Sequence, residues 1–318
     1  MTTTPRLVPC TAALLLAACP PSEPEPLVLA TQNAGTTTWL DLVATEPPPE
    51  ARQVCADWYD NNLCRVDSEA HLATALDEEA PDLILLQEVW DQSGCAEPTR
   101  PDEVDLDPYA CSAGSGPQLE RVLPEDHDWA CAAGYPDNCV AFRRDLFEPD
   151  TPCDGRDCSA QMVSNPSPCG PDGRIAWLPG STEAGAAIAV VVHASAGVGG
   201  ESTACRADQL RSATAALASE PPETRLFVAG DFNFDPTLVE GDDATALTEM
   251  IHTLDLVPLV VDAPTHRISL VQLDHVLVRA PELDRARCTT RFVDDGEQVT
   301  LFDHALVTCR VPEVDPER

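Results

Sequence analysis

"LFVAGDFNFDP", residues 226–236, opens as an apolar run of the length of a buried strand and changes character at Gly230. A carboxylate, a ring, a carboxamide, a ring and a second carboxylate then follow in succession at Asp231, Phe232, Asn233, Phe234 and Asp235. Along an extended segment successive side chains face opposite ways, so Asp231 and Asn233 are expected to share one side while the two phenylalanines pack on the other. Asp235 before Pro236 reads as a turn residue. The plain alternative is a polar turn; a catalytic loop needs company at the ends of other strands.

That company is present. "LVLATQNAG" (27–35) is an apolar run ending at Asn33, and "LILLQEVW" (83–90) ends at Glu88, after a helical pattern that begins at 67 and that Pro81 stops. "NCVAFRRDLF" (138–147) and "AAIAVVVHAS" (186–195) read as further strands, the first preceded by Asn138 and followed by Arg143, the second ending at His193. A helix over 203–223 carries Leu210, Ala213 and Leu217 on one stripe before Pro221. Two late strands carry Asp274 and the pair Asp303 and His304. Loops closing one edge of stacked sheets bring such residues around a single cleft. Carboxylate and carboxamide oxygens suit a hard cation, Mg²⁺ or Mn²⁺, better than zinc or copper. Cleavage of a phosphoester needs such a set: charge to neutralise the phosphoryl oxygens, a group to orient water and a proton donor for the leaving oxygen.

Several plainer assignments stand beside these. His275, next to Asp274, is expected on the opposite face of its strand, and His71, His127, His252 and His266 read as structural or solvent-exposed. Arg143 with Arg144 could equally form a surface ion-pair cluster. The stretches 91–130 and 148–175, acidic and rich in Pro and Cys, read as disulfide-pinned surface insertions.

Charge narrows the substrate. The chain has 318 residues, with 54 acidic against 19 basic ones and a net charge of −35; every basic residue is Arg. Such a surface repels polyanions at long range, so phosphate must be met by a local Arg set or a metal ion, and a nucleic-acid coat protein is excluded.

At the N-terminus, Arg6 precedes an apolar stretch from Leu7 to Ala18 that is too short to span a bilayer and reads as a secretory leader. Its end, Leu16-Ala17-Ala18-Cys19, resembles a bacterial lipobox, which would make Cys19 the lipidated first residue; ordinary cleavage near that point is the alternative. "PPSEPEP" (20–26) reads as a tether. Apart from Cys10 and Cys19, twelve of the 14 cysteines remain, an even set that an oxidising compartment pairs into up to six disulfides, and none has C-x2-C zinc spacing.

Taken together, "TQNAG", "LILLQEVW", "VVVHASA", "LFVAGDFNFDP", "LDHVLV" and "FDHALV" resemble, in order and spacing, the endonuclease/exonuclease/phosphatase superfamily, as does "RADQL" (206–210) before the GDFN strand. The resemblance implies a four-layer α/β/β/α sandwich with two mixed β-sheets packed face to face over residues 27–312, after a leader at 1–18 and a tether at 19–26, with a tail at 313–318. It implies a Mg²⁺- or Mn²⁺-dependent phosphoester hydrolase, a phosphodiesterase or nuclease, exported to the bacterial cell envelope as a lipid-anchored monomer or secreted. Asn33 and Glu88 would hold the metal, with Asp303 at the same ion or a second one. Asp231 and Asn233 would orient water and a phosphate oxygen. Asp274 would orient His304 toward the phosphate, His193 would donate to the leaving group, and Asn138 and Arg143 would contact substrate. Nucleic acid, a phospholipid headgroup and a small phosphate are all open as substrates, through phosphodiesterase, phosphomonoesterase or sphingomyelinase-like action; Trp177 is the one hint of a membrane-inserting aromatic hairpin. An inactive surface binding protein would lack one of the cleft residues, and none is missing.

Overall fold

The computed structural model describes residues 25–35, 66–89, 118–133, 135–151, 159–164, 169–170, 172–267, 269–280, 283, 286–293 and 302–312. The leader at 1–18, Cys19, the tail at 313–318 and Cys55, Cys64, Cys95, Cys111, Cys153 and Cys158 lie outside the described residues.

Six strands make one half of the sheet. β1 (Leu27–Asn33) runs parallel to β2 (Leu83–Gln87) and antiparallel to β13 (Leu306–Val311), which pairs with β12 (Arg287–Arg291). On the other side β2 pairs with β4 (Tyr135–Arg143) and β4 with β3 (His127–Ala132). The second half runs β6 (Ser159–Met162), β7 (Ile175–Thr182), β8 (Gly185–His193), β9 (Arg225–Asp231), β11 (Asp274–Arg279) and β10 (Val257–Pro258), with β5 (Glu148–Pro149) beside β7. β6 bonds both β3 and β7, so the halves form one 13-stranded sheet that folds back on itself.

Three apolar clusters fill the three interfaces of four layers. Between the sheet halves lie Leu29, Leu85, Val140, Val191, Ala229, Val276 and Val307. Helices α1 (Val66–Glu79) and α2 (Gln118–Val122) cover the first half, with Leu72, Leu76 and Leu119 against Ile84 and Leu86. Helices α3 (Gly200–Leu217) and α4 (Asp242–Thr253) cover the second, where Leu210, Ala213 and Leu217 meet Val190, Val192 and Val228 together with Leu247 and Met250. Central strands buried on both faces read as continuous apolar runs, which is why "AIAVVV" carries no alternation.

Two expectations are corrected. Of the stretches read as surface insertions, the described parts supply α2, β3, β5 and β6, and β3 and β6 are the strands that join the two halves; residues 91–117 lie outside the described residues. They are short, and β3 is only partly buried, so neither has an apolar run to announce it. Trp177 is a half-buried residue of β7 packed toward the helices, not the tip of an exposed hairpin. Disulfides join Cys131 to Cys139, Cys169 to Cys205 and Cys288 to Cys309. The first and last of these link residues in register on neighbouring strands.

Candidate active site

Each inner row of core side chains, continued by one step of two residues toward the same end of the sandwich, turns polar. Ala229 is followed by Asp231 on β9, Val191 by His193 on β8 and Val276 by Asp274 on β11; Val140 is preceded by Asn138 on β4, and Ala176 on β7 by Arg174. Registers align these ends: Asp231 is opposite both His193 and Asp274, and β1 brings Asn33 opposite Gln87, next to Glu88.

Asn33 links the two sheet halves. Its Nδ2 donates to Glu88 Oε1 and to Asp231 Oδ2, both at 3.1 Å, and its Oδ1 accepts from the Gly35 N–H at 2.9 Å. Glu88 also lies 3.3 Å from His193 Nε2. Burial works to raise the Glu88 carboxyl, but the His193 hydrogen bond and charge, then Asn33 and His304, bring it down to about 2. It is therefore ionised at neutral pH. A Cβ on Gly35 would sit 1.6 Å from Glu88 Oε2, so only glycine leaves that carboxylate its place.

The GDFN stretch reaches its expected result by a different backbone. β9 ends at Asp231, and Asn233 is left-handed (φ 58°) rather than extended. Asp231 Oδ1 accepts the Asn233 N–H at 2.7 Å, closing an Asx turn, while the Asn233 carboxamide donates to Asp231 Oδ2 and Ala194 O, both at 2.9 Å. Phe232 and Phe234 still pack toward the helices. Glu88 is left-handed as well (φ 55°). Such conformations cost about 1–3 kcal/mol and persist where surrounding contacts dictate them. Asp235 is the turn residue expected, accepting from the Thr237 N–H and hydroxyl.

Across the cleft His304 Nδ1 lies 2.8 Å from Asp274 Oδ2, and its Nε2 faces Asp231 Oδ2 at 3.7 Å. Burial disfavours its charge, but Asp274, Asp231 and Asp303 outweigh burial and raise the imidazole well above 6.5. Asp231 is raised, first by burial and then by Asp274, against the pull of His304 and His193. Asp303 lies 3.6 Å from His266 Nε2, whose ring meets that of His304 edge-on at 4.9 Å. The ligand atoms of His266, Asp303 and His304 fall within 4.8 Å of one another, as do those of Asp231, Asp274 and His304.

Arg143 is not brought to this cleft. It binds Asp82 at 2.8 Å and Asp145 at 2.6 Å. Asp82 precedes the five residues of β2 and Glu88 follows them, which separates the two by roughly 17–20 Å at about 3.3 Å per residue. Its partner Arg144 binds Asp128, so the surface-cluster alternative describes both. Asn138 is fully buried and donates to Gly173 O and Arg174 O. Conversely, His266, read above as structural or solvent-exposed, belongs here, and so does its neighbour Thr265. The Thr265 hydroxyl accepts the backbone N–H of Asp274 at 2.9 Å, and its carbonyl accepts that of Ala305 at 2.7 Å, fixing the start of β11 at Asp274 and the segment just after His304 that leads into β13. Nothing in the hydrophobic pattern marks them; a Thr-His dipeptide shortly before an Asp-ended strand is the only signal.

A four-layer sandwich with carboxylates, carboxamides and imidazoles at one end of its inner rows defines a class of hydrolases. The chain belongs to the Endonuclease/Exonuclease/phosphatase family, whose profile matches residues 58–295. That family includes nucleases, phosphodiesterases and phosphatases. Among curated proteins no sequence matches. Solved structures share the fold. An endonuclease/exonuclease/phosphatase from Beutenbergia cavernae is 18% identical, with a TM-score of 0.57 over 91% of this chain and 72% of that one. The human Nocturnin catalytic domain with bound sulfate is 14% identical, with 0.53 over 90% and 94%. D. rerio TDP2 complexed with a single-strand DNA product is 11% identical, with 0.52 over 89% and 97%.

Proposed function

We propose that the cleft hydrolyses phosphoesters with the help of Mg²⁺ or Mn²⁺, acting as a phosphodiesterase or nuclease outside the cytoplasm. The observation that carries this reading is the buried Asp274–His304 pair facing Asp231 and, through Asn33, the ionised Glu88.

The donor set fits a hard cation: Glu88 is held ionised, Gly35 leaves its carboxylate room, and the second lone pair of Asn33 Oδ1 remains after the Gly35 hydrogen bond. Glu88, Asn33 and Asp303 would hold it. Bound there, a divalent ion supplies charge to neutralise the phosphoryl oxygens. Asp231, its raised pKa favouring proton uptake, orients the attacking water together with Asn233. His304, kept cationic by Asp274, meets the phosphoryl oxygens, and His193 gives a proton to the leaving oxygen. Asn138, fully buried, supports the substrate side only through the Gly173 and Arg174 carbonyls that it holds.

The bond cleaved is a phosphodiester in the leading reading, in keeping with the DNA product held by the similar D. rerio protein. The charge of −35 favours a phosphomonoester or lipid-headgroup substrate as the second. The same proposal makes Cys19 the lipid anchor of a monomer at the bacterial cell envelope, secretion being the alternative; three disulfides support an oxidising compartment.

Glu88→Gln tests the reading. It should abolish Mg²⁺-dependent hydrolysis of bis-nitrophenyl phosphate by the purified protein while the circular dichroism spectrum stays unchanged. Full activity in that variant would overturn the assignment.

A further inference from the structure

The reaction proposed above makes no use of His266, yet the cleft holds a second donor set built around that ring. The segments carrying His266 and His304 meet in a single antiparallel bridge. The Arg267 N–H donates to Asp303 O at 2.8 Å and the Ala305 N–H to Thr265 O at 2.7 Å, so the bonds flank the two histidines. His266 and His304 are therefore a non-hydrogen-bonded pair, the kind whose side chains stand on one face and closest together. Their rings meet edge-on with centroids 4.9 Å apart. Asp303 Oδ2 lies 3.6 Å from His266 Nε2, and one ligand atom from each of the three residues falls within 4.8 Å of the other two.

Both imidazoles are oriented by an outer partner. Asp274 Oδ2 holds Nδ1 of His304 at 2.8 Å, and Ser269 holds Nδ1 of His266 through its hydroxyl at 2.6 Å and its N–H at 3.1 Å. A ring fixed at Nδ1 presents Nε2 to an ion, the arrangement usual for metal-ligating histidines. In the other cluster of ligand atoms, Asp231, Asp274 and His304, Asp274 is already that outer partner. Two imidazole nitrogens and one carboxylate oxygen suit Zn²⁺, with water as a fourth ligand, whereas Mg²⁺ prefers the oxygen donors of Glu88 and Asn33. Asp303 and His304 are buried, and part-exposed His266 opens the set to solvent.

We propose that His266, Asp303 and His304 form a zinc site that switches the cleft off. Zn²⁺ is held by Nε2 of both rings and a carboxylate oxygen of Asp303. Because Nδ1 of His266 accepts the Ser269 N–H, its ring proton starts on Nε2. Binding moves that proton to Nδ1, where the Ser269 hydroxyl turns to accept it, and sends the Nε2 proton of His304 to solvent. Zinc binding stands apart from the hydrolase reading. Inhibition rests on that reading, because the ion takes His304 from the phosphoryl oxygens and Asp303 from the activating divalent ion.

The test titrates Zn²⁺ into the full chain by calorimetry, in excess Mg²⁺. His266→Ala should weaken the tightest zinc site by ~100-fold or more and Ser269→Ala by ~10-fold, since loss of an outer partner alone costs about 10–100-fold in affinity. Glu88→Gln should leave that site intact. Equal zinc affinity in wild type and His266→Ala overturns the proposal, as does loss of the site in Glu88→Gln. If His266→Ala does not fold, Co²⁺ added to the wild-type protein decides: it should give the strong visible absorption of a four-coordinate ion with nitrogen ligands, and a spectrum like that of aqueous Co²⁺ overturns the site. On bis-nitrophenyl phosphate, the Zn²⁺ concentration that halves each protein's own Mg²⁺-activated rate should rise in His266→Ala by the same factor as the dissociation constant. Equal inhibition of both proteins overturns the switch. A wild-type protein that turns over no phosphoester defeats the hydrolase reading, and the calorimetry still decides for the zinc site.

Discussion

At the residue scale, the sharpest distinction lies between two adjacent side chains. Asp274 faces the cleft and binds His304; His275 faces the helices, with Nε2 3.0 Å from Phe234 O and its ring edge-on to Phe232. His304→Ala and Asp274→Asn should each lower turnover by ~10²-fold or more, and the double variant should fall little further, because the two act as one unit. His275→Ala should instead lower the melting temperature with turnover nearly kept. An equal loss of turnover in His275→Ala, with the fold intact, would place the wrong histidine in the cleft. Gly35→Ala should behave like loss of Glu88, since the added Cβ occupies the carboxylate's position; measured Mn²⁺ affinity close to that of the wild type would refute this. Most of these positions were legible, because a polar residue ending an apolar run is visible in one dimension. Arg143 and His266 were not. Which arginine faces a cleft depends on which end of its strand lies there, and His266 reaches His304 across a bridge between segments 38 residues apart.

At the element scale, legibility followed burial. β1, β2, β8 and β9 are buried along nearly their whole length and announced themselves as apolar runs, and the Leu210, Ala213 and Leu217 stripe marked α3. β3, β6 and β12 escaped because half-exposed strands of four to six residues mix Asp, Gln, Arg and Thr into the pattern. Strand β11 shows how alternation loads one element with opposite titration behaviour. Burial pushes His275 below 6.5, although Phe234 and the carboxylates Asp274, Asp235 and Asp231 act to raise it. A histidine with a depressed pKa is neutral when folded, so its contribution to stability is present above pH 6.5 and is lost as pH falls from 6.5 toward the folded value. His304, raised above 6.5, contributes with the opposite sign, being lost as pH rises through its folded pKa. The fall in melting temperature between pH 7 and pH 5 should therefore be smaller in His275→Gln, which keeps a donor for Phe234 O, than in wild type. An identical fall in both proteins would show that the ring is not held neutral.

At the scale of the whole molecule, the cleft sets a small group of imidazoles among carboxylates in a body of net charge −35. A nuclease with a basic groove loses affinity as salt rises, because binding releases condensed counterions. Here the long-range term is repulsive and the attractive contacts are local. Repulsion extends over about 30 Å at 0.01 M salt and only about 10 Å at 0.1 M, so screening removes the penalty for a polyanion well before it weakens contacts inside the cleft. With the divalent ion held constant, kcat/KM on plasmid DNA should rise as monovalent salt increases across that range, while kcat/KM on bis-nitrophenyl phosphate, which carries a single charge, should change little. Parallel rate measurements on the two substrates separate the cases. A steep fall on DNA with rising salt would mean that arginines form an extended phosphate-binding track, and the acidic body would then have no part in choosing the substrate.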